Sequence, residues 1–227
     1  MKQKMEKWER WLDVIYKDVI HQAGSRAIFQ ETVAIINGNP QIPKDSDFLE
    51  FLEQWHADSV LMGLRRQLKI NSDSISLIGL LDDIANNASL VSRKRFISLY
   101  PGTHRNYADR LFDQRVGSNE SHVDACAVRA EIDQLRRLAG RCEELADRRI
   151  AHRDKRATVA APTWKELNQA GGFAQDLLRK YSLLLRGRAP SVIPTFPHPW
   201  KRVFEVAWKP RGTRLTSASS RRADARG

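Results

Sequence analysis

Hydrophobic residues recur at helical spacing along nearly the whole of this 227-residue chain, and alternating strand patterns are scarce. The clearest case is Val128, Ile132, Leu135, Ala139, Cys142, Ala146 and Ile150, which a helix over about residues 121–153 places on one side. A chain patterned in this way must bury one face of each helix against other helices. It is therefore predicted to be all-α, a bundle of about five helices around one core.

The rest of the chain supplies the other helices. A first long stretch covers about 3–36, with Trp8, Trp11, Leu12, Ile15, Val19, Phe29, Val33 and Ile36 on its apolar side and a bend expected at Gly24-Ser25. Gly38-Asn39-Pro40 stops it, because proline disfavours helix at the residue before it. A second, about 46–69, opens at Ser46 or Asp47. It carries Phe48, Leu52, Trp55, Met62, Leu64 and Leu68, and is apolar around so much of its circumference that a central place is expected. Asn71-Ser72-Asp73-Ser74 reads as a turn, followed by a short helix with Leu77, Ile78, Leu81, Ile84 and Ala85. Pro101-Gly102 and Gly117-Ser118-Asn119 break the pattern over 99–121, which is read as a long loop. A fifth helix begins near Thr163, with a break or bend at Gly171-Gly172, and ends near Gly187. The bundle is thus assigned to 1–188. Residues 189–208 form a proline-rich segment in which Trp200, Phe204 and Trp208 are expected to dock, and 209–227 a disordered basic tail.

Charge narrows the partners. The chain has 38 Lys+Arg against 27 Asp+Glu, a formal +11, of which the last 19 residues hold +5. Such a balance suits a polyanion; the tail itself reads either as a solubilising end or as an arm that attracts RNA. No apolar run approaches the ~18–20 residues of a membrane span, and the start, MKQKMEKWERW, lacks a secretory signal's apolar stretch. Cys126 and Cys142 lie on one helix, ~24 Å apart at ~1.5 Å per residue, too far for a disulfide. A reducing cytoplasm is expected. Neither a His/Cys metal cluster, a glycine-rich phosphate loop nor a Gly-x-Ser-x-Gly elbow occurs, so no metal and no cofactor are expected.

The chemically suggestive stretch is Asp147-Arg148-Arg149-Ile150-Ala151-His152-Arg153-Asp154. On a helix, Arg137, Arg141, Glu144 and Arg148 share a face opposite the apolar stripe, with His152 on its edge one turn beyond Arg148. An Arg and a His so placed can both reach one phosphate. The His could take the proton of a ribose 2′-OH, its pKa of ~6.5 suiting neutral pH, and the Arg could steady charge on phosphorus. The same cations also complement the negative end of a helix, which needs no function at all. Arg65 and Arg66 close the second helix and either face the same cleft or serve as C-terminal cations paired with Asp82 or Asp83. His56 beside Trp55 fits a core histidine. Residues 95–115 interleave Arg95, Phe96, Tyr100, His104, Arg105, Tyr107, Arg110, Phe112 and Arg115, a pattern suited to stacking on unpaired bases or to anchoring a surface crossing in the core.

Three segments together resemble the HEPN superfamily, in particular its abortive-infection proteins of AbiU type. They are Trp55-His56-Ala57-Asp58 through Leu64-Arg65-Arg66; Ser74-Ile75-Ser76-Leu77 with Leu80-Leu81; and Arg148 through Asp154. They span about 50–155 within a region of similar helix order from about 5 to 185. The resemblance implies a helical bundle that usually dimerises, and metal-independent ribonucleases used as toxins or antiviral effectors. Its signature is Arg, a polar residue, a few more residues and His, pooled from two protomers. Here Asp147 matches the polar position, which leaves Ala146 where the Arg is expected; Arg148 stands three residues before His152 with Arg149 next to it. The site expected from this is His152, Arg148, Arg149 and Asp147, with Arg65, Arg66, Arg137 and Arg141 binding nucleic acid. RNA, a second copy and a cognate antitoxin or defence protein are the expected partners. A non-catalytic HEPN module and a plain RNA-binding helical protein are the alternatives.

Overall fold

The computed structural model describes residues 2–43, 46–71, 73–146, 162–196 and 198–206. Among them are seven α-helices and no β-strand: α1 (Lys2–Gly38), α2 (Asp47–Leu68), α3 (Leu77–Ala85), α4 (Arg93–Ser98), α5 (Arg105–Val116), α6 (Ala125–Leu145) and α7 (Trp164–Arg186). The all-α class holds, with two helices more than expected. Contacts divide the chain into two units, Met1–Pro194 and Thr195–Gly227. All seven helices lie in the first. In the second, Trp200 opens a short 3₁₀ turn and its ring meets those of Phe196 and Phe204 at 6.1 Å each. Trp208 and the basic tail of 209–227 lie outside the described residues.

The core is built on α3. Six of its nine residues are buried (Leu77, Ile78, Leu80, Leu81, Ile84 and Ala85), and it packs on α1, α2 and α6. Ser76 caps it by accepting from the Gly79 amide at 2.9 Å. Met5, Trp8, Leu12, Ile15 and Val19, at steps of three and four along α1, supply one wall. Asp83 locks the two helices, accepting from Lys4 at 2.8 Å, Lys7 at 3.0 Å and the Trp8 indole at 3.1 Å. Burial pushes the Asp83 carboxyl up, but the hydrogen bonds from Lys4, Trp8 and Lys7 outweigh it and hold the group below its ordinary range. Asp83 is thus engaged by α1. Arg66 lies 4.0 Å from Asp18, and Asp82 accepts from Asn86.

Two helices expected to bend do not break. α1 runs uninterrupted through Gly24 and Ser25, and α7 through Gly171 and Gly172. Gly171 serves close approach: a Cβ there would stand 2.7 Å from Nη2 of Arg26 on α1. The stretch 99–121 is not one loop, since α5 occupies its middle. Ala108 and Phe112, four residues apart, bury one side of α5, and the turn signals mark its flanks; Gly117, at φ 134°, ends it. Arg93 at the start of α4 ties this excursion down, donating to Asp109 at 2.7 Å, Asp113 at 2.6 Å and the Glu120 carbonyl at 2.8 Å.

The stripe on the fourth predicted helix is confirmed on α6, where Val128, Ile132, Leu135, Ala139 and Cys142 are all buried. Asp124 caps α6 through the amides of Cys126 and Ala127, so the helix starts a turn later than predicted. Burial raises the Cys142 thiol to about 11. α7 lies antiparallel to α6, and Glu131 accepts from both Lys180 at 2.6 Å and the Tyr181 hydroxyl at 2.7 Å. α2 is central only in its second half: residues 47–55 include none that is buried, and burial begins at His56.

The Asp83 lock yields a test. Asp83→Ala leaves the indole of Trp8, itself fully buried, without its acceptor. We expect a loss of about 1–3 kcal/mol in urea unfolding at pH 7. The difference from wild type should shrink as the pH falls through the folded-state pKa of Asp83, because a carboxyl held low stabilises only above that point.

Candidate functional site

His152, Arg148, Arg149 and Asp147 lie outside the described residues, which stop at Ala146 and resume at Pro162. What the structure defines is the frame on either side. α6 delivers the chain to Ala146, which has no exposed surface and keeps helical backbone at φ −61°, ψ −42°. On the far side Thr163 opens α7 with a capping box. Its hydroxyl accepts from the Glu166 amide, and Glu166 accepts from the Thr163 amide at 2.7 Å. Arg141 in the last turns of α6 donates to the same Glu166 at 2.7 Å. The two ends of the motif-bearing stretch are thus clamped together by one ion pair. The Thr163 amide and hydroxyl, then Arg141, hold the Glu166 carboxyl below its ordinary range.

The four arginines expected at a nucleic-acid surface are divided by the fold. Arg137 and Arg141 are exposed, but Arg141 is engaged by Glu166. Arg65 is half-buried and Arg66 exposed, both in the last turn of α2. The C-cap of that helix, Lys69, meets Glu143 of α6 at 3.0 Å, which brings this end of α2 beside the last turns of α6. In 95–115 the aromatic residues are mainly anchors. Phe96 and Phe112 are fully buried, the Tyr100 hydroxyl donates to the Gly187 carbonyl at 2.7 Å, and Arg95 donates to the Leu185 carbonyl at 2.8 Å. Arg105, Tyr107, Arg110 and Arg115 remain on the surface.

A second group was not singled out from the sequence. His56 of α2 stacks on Phe29 of α1 at 4.1 Å and on Trp164 of α7 at 5.4 Å, and is 7% exposed. It is a core histidine, as the sequence suggested. Burial, then the charge of Arg26, lowers its pKa from 6.5. Arg26 is itself largely buried, which lowers its own pKa, and no carboxylate pairs with it among the described residues. It lines a cavity of about 30 Å³ with Gln22, Gly63, Gln67 and Gly171. That volume is too small for a nucleotide, since ligand pockets run to several hundred Å³. The signal in the sequence was the glycines: a Cβ at Gly63 would collide with Gln22 and one at Gly171 with Arg26. Trp164 follows the motif stretch closely, so this stack sits near the frame that holds it. Among the described residues no three His, Cys, Asp or Glu converge as metal ligands.

A family model, HEPN_AbiU2, described as AbiU2, matches residues 5–207. No curated protein and no solved structure matches the chain.

Two expectations follow from this geometry. His56 is held neutral in the fold, so below pH 6.5 the unfolded chain takes up a proton that the folded one resists. The urea midpoint should therefore fall between pH 7.5 and 5.5, and His56→Phe should reduce that fall. Restoring an Arg by Ala146→Arg would bury a guanidinium where no surface is exposed. We expect it to cost at least about 3 kcal/mol by urea unfolding rather than to create activity.

Proposed function

Because the chain belongs to the HEPN_AbiU2 family, we propose that it is a metal-independent endoribonuclease acting as a toxin or abortive-infection effector. The observation that supports this most is the frame around Asp147–His152. Arg141 and Glu166 join the two helix ends that flank residues 147–161, and Lys69 with Glu143 sets the basic end of α2 beside the last turns of α6. A cut needs no metal if the protein supplies its own acid–base group and its own cation. His152 takes the proton of a ribose 2′-OH, and the freed oxygen attacks the adjacent phosphorus. Arg148 steadies the added negative charge. The 5′-oxygen of the next nucleotide then leaves with a proton returned by a histidine, giving a 2′,3′-cyclic phosphate and a 5′-hydroxyl. Arg148 is ranked over Arg149 because, on a helix, it lies ~40° from His152 on the polar side and Arg149 ~60° away towards the core. Asp147 occupies the polar position of the motif, and Arg65, Arg66 and Arg137 contribute backbone contacts along the RNA. Two copies pool their His and Arg groups in one closed site, and a cognate antitoxin or defence protein restrains it.

The burial of Ala146 favours a second reading. The family signature places its Arg there, and the fold offers that position no exposed surface. On this reading the protein is a non-catalytic HEPN module that binds a partner, a nucleotide or RNA.

Cleavage of a labelled RNA with EDTA present separates the two. We expect wild type to leave a 2′,3′-cyclic phosphate, with cleavage at least about 100-fold slower in His152→Ala and in Arg148→Ala and less affected in Arg149→Ala. Undiminished cleavage by His152→Ala rejects the mechanism. An inactive wild type that still binds the RNA leaves the module.

A further inference from the structure

The first turns of α2 have the composition of a buried helix and the exposure of a surface one. Phe48, Phe51 and Trp55 are 56%, 60% and 64% exposed, and Phe51 and Trp55 pack on each other edge to face at 5.4 Å. With Leu49 and Leu52 they make an apolar stripe ~160° wide at ~100° per residue. A notch of about 250 Å³ lies between the rings, lined by Asp47, Phe48, Phe51, Leu52 and Trp55. The three rings leave roughly 350–400 Å² of apolar surface in water. That is nearly half of the roughly 800 Å² that each partner buries in an interface of standard size, and it contributes nothing to the fold while it faces water.

Charge decides what covers this face. Between Ser46 and Leu64 stand Asp47, Glu50, Glu53 and Asp58 and no Lys or Arg, a local −4 in a chain of +11. An RNA strand would meet these carboxylates before it could stack on the rings. A second copy laid face to face would set Asp47, Glu50 and Glu53 against their own counterparts, as like charges do along a badly matched coiled coil. A cationic segment meets neither obstacle. We propose that the N-terminal half of α2 is a docking site for a basic amphipathic helix of another protein, its apolar side on Phe48, Phe51 and Trp55 and its Lys or Arg residues beside Asp47, Glu50 and Glu53. This surface is independent of the ribonuclease reading and uses none of its residues.

The probe is a fluorescent 16-residue peptide with Leu at helical spacing and Lys elsewhere, alongside a twin in which Glu replaces every Lys. Anisotropy is read on the full chain at 50 and 300 mM NaCl. The Lys peptide should bind with Kd of about 10–100 μM, about tenfold or more tighter than the Glu twin, and weaken several-fold at the higher salt. Phe51→Ser and Trp55→Ser, both at exposed positions and checked for unchanged helicity, should each weaken it about tenfold. Binding that survives both substitutions, or equal binding of the Glu twin, overturns the proposal. So does wild-type self-association in sedimentation that disappears in Phe51→Ser, which would make a second copy the occupant. Binding of a labelled oligouridine that Trp55→Ser abolishes would make the face an RNA platform and overturn it as well.

Discussion

A nine-residue helix cannot hold itself in water, yet α3 has six of its nine residues buried and forms the centre of the bundle. Its dependence on its neighbours is mutual. Each of α1, α2 and α6 turns its apolar side to α3, and the Asp83 carboxylate at its far end holds Lys4, Lys7 and Trp8 of α1 in register. Removing α3 from this arrangement would leave three long helices with facing apolar stripes and nothing of the right size between them. The arrangement of α1, α2 and α6 follows from this enclosure.

Around that centre the bundle admits a few large polar groups where backbone gives way. Arg26 and Gln22 reach inward because Gly171 and Gly63 carry no Cβ, and His56 stacks on Phe29 and Trp164, which also stack on each other. His56 and Trp164 lie where α7 begins. Burial, and then the positive charge of Arg26, makes His56 resist protonation. Arg141 and Glu166 close the same end from outside.

Periodicity made much of this legible. The buried stripe of α6 could be listed residue by residue from Val128 to Cys142, because a 3.6-residue repeat allows only one face to be buried. On α1, Trp8, Leu12, Ile15, Val19 and Ile36 are buried as expected, while Trp11, Phe29 and Val33 are only partly covered. The two turn signals at 101–102 and 117–119 were real, but they bounded α5 instead of belonging to one loop. A short helix with only Ala108 and Phe112 on its buried side gives too few repeats to stand out from loop sequence. Of the candidate site, the resemblance located the family. The engagement of Arg141 by Glu166 depends on two helix ends meeting, which spacing along the chain does not encode.

The sequence alone determined the helical class, the end of α1 at Gly38, the start of α7 near Thr163, and membership of the family, since each depends on residues near one another along the chain or in fixed order. Tertiary structure decided which apolar surfaces are satisfied. Phe51 and Trp55 are apolar residues four apart on α2, as are Leu64 and Leu68, yet the first pair faces water and the second the core. A helix's pattern specifies that one side seeks cover; only the lengths and crossings of the other helices determine how far along that side the cover extends. Ala146 shows the same division. Its type fits the apolar stripe in the sequence, but that no surface remains there for an arginine is a property of the helices packed around it.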